Sequence, residues 1–104
     1  MDESELKQNF KLSISLANKA VALDMSDSMS WYVLGNAHYT HFFTNNESTA
    51  QLASALSAYA QSEKTMQEPN PDLFYNRATV LEYLERYGEA VANYTKADAI
   101  DPSL

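Results

Sequence analysis

Apolar side chains recur every three or four residues in five stretches of the chain, and this spacing predicts five amphipathic helices. The first helix is expected at about residues 3–24 and the second at about residues 28–43. The apolar stripe of the first helix comprises Leu6, Phe10, Ile14, Ala17, Ala20 and Val21. The inner face of the second helix comprises Trp31, Leu34, Gly35, His38 and Phe42. Each helix therefore has one side suited to a core.

A turn-rich loop and two prolines delimit the other three helices. The third is expected at about residues 49–67, the fourth at about 71–84 and the fifth at about 87–99. Asn70 precedes a proline at the first helical position and is the predicted N-cap of the fourth helix. The inner face of the third helix comprises Leu52, Ala55, Leu56, Tyr59 and Ser62. The inner face of the fifth helix comprises Val91, Tyr94, Ala97 and Ile100.

Small and aromatic residues recur at matching positions in successive pairs of helices. In the second helix of the chain, Trp31, Leu34 and Gly35 follow the pattern W-x2-L-G. In the fifth helix, Ala90 and Tyr94 follow a pattern of alanine and an aromatic residue four positions later. These patterns resemble the tetratricopeptide repeat, a pair of helices of about 34 residues. The resemblance implies an all-α fold in which helix pairs stack into a right-handed superhelix.

The first helix matches only the second helix of such a repeat, because Ala20, Leu23 and Asp24 resemble its end. We therefore expect one tetratricopeptide repeat domain over residues 1–104. Its predicted parts are the second helix of a partial repeat at 1–25, a repeat at 26–68 and a repeat at 69–104. The chain thus corresponds to half a repeat followed by two repeats.

The two repeats depart from the common pattern in different places. In the middle repeat, Trp31 and Ala55 lie 24 positions apart, whereas the corresponding Phe74 and Ala90 of the last repeat lie 16 apart. A long loop is therefore expected around residues 42–48. In the last repeat, phenylalanine replaces the tryptophan of the pattern, and Arg77 and Ala78 replace its leucine and glycine.

Composition narrows the chemistry that the chain can perform. Its 104 residues include no cysteine, which excludes disulfides and cysteine-based metal sites or nucleophiles. The 7 basic and 14 acidic residues give a net charge of −7, which disfavours nucleic acid and anionic membranes as partners. The acidic, polar N-terminus does not resemble a signal peptide. We therefore expect a protein of the cytoplasm or the nucleus.

No motif of the sequence predicts catalysis. A glycine-rich phosphate loop and a nucleophile–base set are both missing, so the prediction is a protein that is not an enzyme and needs no cofactor. His38 and His41 lie three positions apart on one helix and could share a metal ion. No strong third ligand lies near them in the sequence, and no metal site is predicted.

Three longer runs give a more specific resemblance, namely SWYVLGNAHY, ALSAYAQSEK and NPDLFYNRATVLEYLERYGEA. They are similar to a tetratricopeptide family of stress-responsive transcription cofactors that also recognises nascent tubulin. The resemblance implies that the chain is an adaptor protein. Its partner would be a protein or peptide that carries a basic segment or begins with methionine and a basic residue. Members of that family have further repeats and a C-terminal barrel, which these 104 residues do not match.

The first helix of each pair should line the concave groove of such an array, where a peptide would bind. Helical spacing predicts one set of groove residues on the second helix and another on the fourth. The predicted peptide-binding residues are Tyr32, Asn36, Tyr39, Asp72, Tyr75, Asn76, Thr79 and Glu82. Asp72 could pair with an arginine or lysine of the peptide. Alternatively, it is only a first-turn acid favoured by the helix dipole.

A second hypothesis is a structural module that self-associates. The first helix lacks the partner helix of a complete repeat, so it could expose an apolar face to a second copy of the chain. If so, a charge introduced at Phe10 or Ile14 should yield a monomer.

Overall fold

The computed structural model describes residues 2–45 and 48–103 of the chain. Those residues form five α-helices and no strand, which confirms the predicted all-α class. The helices are α1 (Glu3–Leu23), α2 (Ser28–Asn45), α3 (Ala50–Thr65), α4 (Pro71–Tyr83) and α5 (Tyr87–Ile100). Each begins and ends within a few residues of its predicted bounds. The chain divides into two compact units, residues 1–65 and residues 66–104.

Helices α1 and α5 end in the same way, as a repeat requires. The N–H of Asp24 donates to the carbonyl of Ala20 at the end of α1, and the N–H of Asp101 donates to the carbonyl of Ala97 at the end of α5. At both ends a serine two residues later donates its N–H and its hydroxyl to the aspartate Oδ1, at 3.0 and 2.6 Å. These hydrogen bonds lower the pKa of both aspartates. The shared ending fixes the alignment of α1 with α5.

In the unit of residues 1–65, α2 packs against α1 on one side and α3 on the other. Ala17 and Val21 of α1 lie in a buried cluster with Leu34 of α2 and Ala58 of α3. The partly buried Ile14 and Trp31 pack against this cluster, and the indole N–H of Trp31 donates to the carbonyl of Met25 at 2.9 Å. Apolar burial at these positions is the main stabilising contribution that α1 makes.

Helices α2 and α3 approach each other closely where Gly35 of α2 faces Tyr59 of α3. A Cβ atom at Gly35 would lie 2.5 and 2.6 Å from two carbon atoms of the Tyr59 ring. Only glycine leaves this space, and the ring of Tyr59 fills it completely, with no exposed surface. Burial raises the pKa of the Tyr59 hydroxyl, which donates a hydrogen bond to Oδ1 of Asn36 at 2.7 Å. The glycine of the W-x2-L-G pattern is therefore a packing requirement.

The long connection expected around residues 42–48 is largely helical. Helix α2 continues to Asn45, fourteen positions beyond Trp31, whereas α4 ends at Tyr83, nine positions beyond the corresponding Phe74. Residues 46 and 47 lie outside the described residues. The extra length of the middle repeat is thus mainly an extension of its first helix rather than a loop.

In the unit of residues 66–104, α4 and α5 form an antiparallel pair. Asn70 caps α4 as predicted, since its side chain accepts a hydrogen bond from the N–H of Asp72. The buried side chains of α4 are Leu73, Phe74, Ala78, Val80 and Leu81, and those of α5 are Ala90 and Ala97. The guanidinium of Arg77 and the ammonium of Lys96 lie 5.3 and 5.4 Å from the centre of the Phe74 ring, within the range of cation–π attraction.

Three positions predicted to face inward are exposed instead. Val91 of α5 is 63% exposed and Ile100 is 39% exposed, because α5 contacts α4 through the face of Ala90 and Ala97. Val91 lies one position beyond Ala90, which is about 100° around the helix. Ala20 of α1 is also exposed, although its counterpart in α5, Ala97, is buried.

We expect Gly35→Ala to lower the free energy of unfolding by about 1–3 kcal/mol, because the new methyl group collides with the Tyr59 ring. Gly88→Ala is the matched control. Its added Cβ would meet nothing within 4 Å, so the better helix propensity of alanine should raise stability by up to about 1 kcal/mol. Urea unfolding followed by the fluorescence of Trp31, the single tryptophan, measures the stability of Gly35→Ala. Circular dichroism measures the stability of both variants. Equal effects of the two substitutions would contradict the packing argument.

Candidate functional site

The predicted residues on α2 are half-buried and make contacts inside their own unit. The ring of Tyr32 lies 6.3 Å from that of Tyr59, at an interplanar angle of 39°. Asn36 accepts the hydrogen bond of the Tyr59 hydroxyl. The ring of Tyr39 lies 4.9 Å from that of Phe43, near the C-terminal end of α2. These contacts hold the three side chains in place but leave part of each accessible.

Three of the predicted residues on α4 converge on one side chain of α5. Tyr75, Thr79 and Glu82 lie at spacings of four and three residues and so share a face of the helix. The ring of Tyr94 lies 5.4 Å from that of Tyr75, edge to face at 71°. The hydroxyl of Tyr94 donates to Oε1 of Glu82 at 2.9 Å and lies 3.3 Å from Oγ1 of Thr79. We call these four residues the tyrosine–glutamate cluster.

The sequence placed Tyr94 in the core, yet the structure leaves it half-exposed. It occupies the same position in its repeat as the fully buried Tyr59. The difference lies opposite the ring, where α2 has Gly35 and α4 has the fully buried Ala78. The Cβ of an alanine collides with a ring placed as that of Tyr59 is placed. The replacement of glycine by alanine was therefore the sequence signal that could have assigned Tyr94 to the surface.

The surroundings of Tyr94 raise the pKa of its hydroxyl. Burial raises its pKa, and the adjacent Glu82 carboxylate raises the pKa further because a tyrosinate there would face a like charge. The contact with Thr79 acts in the opposite direction and lowers the pKa. At neutral pH the Tyr94 hydroxyl is therefore a donor, and it holds the Glu82 side chain beside the tyrosine rings.

Asp72 lies at the other end of the same face of α4. Its side chain is exposed, and its backbone N–H donates a hydrogen bond to Oδ1 of Asn70 at 3.1 Å. Asn76 lies one turn further along the helix and is half-buried, and Tyr83 at the end of α4 is exposed. Helix-dipole stabilisation and ligand binding are both compatible with this position of Asp72.

The acidic character of this face is not neutralised by basic neighbours. Residues 66–104 contain seven acidic and three basic residues. Each basic side chain has contacts elsewhere: Arg77 donates to Asn93 and lies over Phe74, Lys96 lies over the same ring, and Arg86 pairs with Glu89 at 2.7 Å. Asp72 and Glu82 therefore give the α4 face a negative potential.

The eight predicted residues form two separate sets. Tyr32, Asn36 and Tyr39 belong to the unit of residues 1–65, and the five residues of α4 belong to the unit of residues 66–104. The structure brings Tyr75, Thr79 and Glu82 together and adds Tyr94 to them. A single groove containing both sets stays a prediction.

The two histidines have different surroundings. Nδ1 of His38 lies 2.8 Å from Oε1 of Gln51, whereas His41 is buried with its ring stacked on that of Phe10 at 6.2 Å. Across residues 2–45 and 48–103, no group of three or more histidine, aspartate or glutamate side chains is placed to hold a metal ion. None of the helices in that part of the chain has the length and apolar character needed to span a membrane.

Known proteins resemble the chain over most of its length. Human tetratricopeptide repeat protein 5 is 41% identical over 103 residues, which are 97% of the chain and 23% of the human protein. The cattle protein of that name is 44% identical over 93 residues, covering 88% of the chain and 21% of the relative. The mouse protein is 45% identical over 92 residues, covering 86% and 21%. The chain thus spans less than a quarter of the length of these relatives. No protein-family model matches it.

We expect Glu82→Gln to lower the pKa of Tyr94, because the substitution removes the like charge that opposes the tyrosinate. The titration of Tyr94 followed by NMR of ¹³C-labelled tyrosine rings measures the change. Asp72→Asn removes a charge from the same helix outside the cluster and should leave the pKa of Tyr94 unchanged. The contact is refuted if both variants titrate like the parent chain.

Proposed function

The chain belongs to the tetratricopeptide repeat proteins and is related to a part of tetratricopeptide repeat protein 5, and from this premise we propose that it is an adaptor for a basic peptide. The observation that carries the proposal is the acidic, aromatic face of α4. Asp72 and Glu82 stand at its two ends, and exposed tyrosine rings lie between and beside them. A face of this composition favours a partner segment with positive charge.

The spacing of the two acids limits the kind of segment that fits. Asp72 and Glu82 lie ten residues apart on α4, which corresponds to about 15 Å along the helix axis. An extended peptide advances about 3.3 Å per residue, so two basic side chains four or five residues apart would match both acids. A peptide with a single basic residue could engage one acid at a time. Charge-assisted hydrogen bonds from arginine to carboxylate would fix its position.

The tyrosines would supply the remaining contact area. Tyr75 and Tyr83 are exposed and have only two rotatable side-chain bonds each, so they lose little conformational entropy on binding. The edge-to-face contact with Tyr94 already orients the ring of Tyr75, and the hydroxyl of Tyr94 already orients Glu82. Preorganisation of this kind raises affinity without additional contacts. Tyr32, Asn36 and Tyr39 of α2 are the candidate surface of the unit of residues 1–65.

The sequence resemblance implies two biological roles, and we propose both for this chain. One is recognition of nascent tubulin, whose N-terminus begins with methionine and a basic residue, and the other is a cofactor role in stress-responsive transcription. The acidic α4 face supports the first, because it complements the basic residue of such a segment. Both roles agree with a location in the cytoplasm or the nucleus. The relatives are more than four times as long as the chain.

A peptide titration tests the proposed binding. We expect a short peptide beginning Met-Arg-Glu to bind the chain, and Asp72→Lys or Glu82→Lys to weaken binding on the order of tenfold, or about 1.4 kcal/mol. Glu3→Lys makes the same charge change on α1 and should leave the affinity unaltered. Isothermal titration calorimetry at low and at high salt measures the affinities, which should fall as salt screens the charges.

The proposal fails if the lysine variants on α4 bind as tightly as the parent chain. It also fails if a peptide with glutamate in place of the arginine binds equally well. The tyrosine contribution is tested separately by Tyr75→Ala, whose loss of binding should be insensitive to salt.

A further inference from the structure

Two rings of the tyrosine–glutamate cluster meet at a corner that solvent can reach. The rings of Tyr75 and Tyr94 stand at 71° to each other, with their centres 5.4 Å apart. Tyr75 is 46% exposed and Tyr94 is half-exposed. The carboxylate of Glu82 is held beside the rings, because its Oε1 accepts the hydrogen bond of the Tyr94 hydroxyl at 2.9 Å. We call this arrangement the tyrosine corner; it has two aromatic walls and one negative charge.

The tyrosine corner is suited to a cation. The face of an aromatic ring carries partial negative charge and attracts an ammonium group that lies within about 6 Å of the ring centre. The centres of the two rings are closer to each other than that, so one ammonium group can contact both rings. The adjacent carboxylate adds an opposite charge. Arginine, lysine and methylated lysine are all cations, and their hydration and their N–H donors distinguish them.

Unmodified lysine fits the tyrosine corner poorly. Its ammonium group is strongly hydrated and has three N–H donors. The corner offers one carboxylate and two ring faces, and a ring face accepts hydrogen bonds only weakly. Methyl groups on the nitrogen replace N–H donors by apolar surface, which lowers the cost of leaving water, and they leave the positive charge in place. Methylation therefore makes lysine more complementary to the two rings.

We infer that the tyrosine corner binds a methylated lysine of the partner segment, with the dimethylated form preferred. This inference rests on the proposed adaptor function and specifies the basic residue that this part of the α4 face takes. A dimethylammonium group presents two methyl groups to the rings of Tyr75 and Tyr94 and keeps one N–H. That N–H can donate to Oε2 of Glu82, while Oε1 accepts from Tyr94. Trimethyllysine has no N–H to donate.

The α4 residues of the tyrosine corner lie at positions that stay accessible when other helices pack beside the helix. Tyr32, Asn36 and Tyr39 occupy the corresponding positions on α2. Helix α2 has contacts with both α1 and α3, yet all three of these side chains remain partly accessible. The access to Tyr75 and Glu82 is therefore typical of their positions in the first helix of a pair.

Peptide titrations that differ only in lysine methylation test the inference. We expect a short peptide with one dimethyllysine among neutral residues to bind at least about threefold more tightly than the same peptide with unmodified lysine. The trimethylated peptide should lie between the two. A neutral analogue of trimethyllysine, with carbon in place of the ammonium nitrogen, has the same shape without the charge. It should bind no more tightly than unmodified lysine. Isothermal titration calorimetry measures these affinities.

Substitutions of tyrosine locate the binding site. Tyr75→Leu removes one aromatic wall and should abolish the preference for methylated lysine, whereas Tyr75→Phe keeps the ring and should retain it. Tyr87→Leu is the matched control, since Tyr87 is 59% exposed on α5 outside the cluster, and it should leave the preference unchanged. Circular dichroism verifies that the variants remain helical. In the parent chain, NMR of ¹³C-labelled tyrosine rings should show shifts of Tyr75 and Tyr94, but not of Tyr87, when the dimethylated peptide is added.

Glu82→Gln tests the contribution of the carboxylate. The variant should weaken the binding of both methylated peptides and reduce the preference for dimethyllysine over trimethyllysine, because the neutral amide is a weaker acceptor for the remaining N–H. Asp72→Asn removes a charge from the same helix outside the tyrosine corner. It should weaken the two methylated peptides equally.

The results separate this inference from the proposed function. Equal affinities of the unmodified and the methylated peptides overturn the inference, and so does binding of the neutral analogue as tight as that of trimethyllysine. If the peptides bind equally and still lose affinity in Glu82→Lys, the adaptor function stands without the methylation preference. An unchanged preference in Tyr75→Leu overturns the placement at the tyrosine corner. If none of these peptides binds, nor the peptide beginning Met-Arg-Glu, both the inference and the proposed function are overturned.

Discussion

The fit of the Tyr59 ring into the space left by Gly35 is the constraint on which the arrangement of residues 1–65 depends. Two ring carbons lie 2.5 and 2.6 Å from the position that a Cβ at residue 35 would take, and the residue has no exposed surface. Its position lets α2 and α3 approach closely, and the hydrogen bond to Asn36 then fixes one side of α2. A second tie, three residues further along α3, joins Ser28 and Ser62, whose hydroxyls each donate to the backbone carbonyl of the other residue. Packing and hydrogen bonding thus specify one relative position of the two helices.

In the unit of residues 66–104, Ala78 and Tyr94 occupy the positions that correspond to Gly35 and Tyr59, but they pack differently. Ala78 fills the space itself, and Tyr94 is left half-exposed beside Tyr75, Thr79 and Glu82. A residue that contributes to the core in one repeat therefore contributes to a surface in the next. Glycine and alanine differ by one methyl group, and the Cβ of an alanine is not compatible with a ring placed as that of Tyr59 is placed. The candidate binding surface thus includes a position at which the two repeats differ.

Periodicity and capping residues were enough to predict the helices. The N-cap at Asn70 and the breaks between helices have local causes that can be read from neighbouring residues. The exposure of Val91, Ala20 and Ile100 could not be predicted in this way, because a stripe shows which side chains are apolar but not which of them have a neighbour. The same limit explains why the partial exposure of Tyr94 and the exposed leucines of α1 were not predicted. The extension of α2 to Asn45 was missed because its polar residues also suit a turn.

Helix α1 buries only part of its apolar surface among the described residues. Its inner stripe buries only Ala17 and Val21 fully, and it packs mainly against α2. A helix in water takes most of its stability from the packing of its apolar face, so α1 gains less from its unit than the better covered α3 does. The free energy of unfolding of residues 1–65 therefore depends more on the contact between α2 and α3, where Leu52 and Tyr59 are completely buried, than on the contact between α1 and α2.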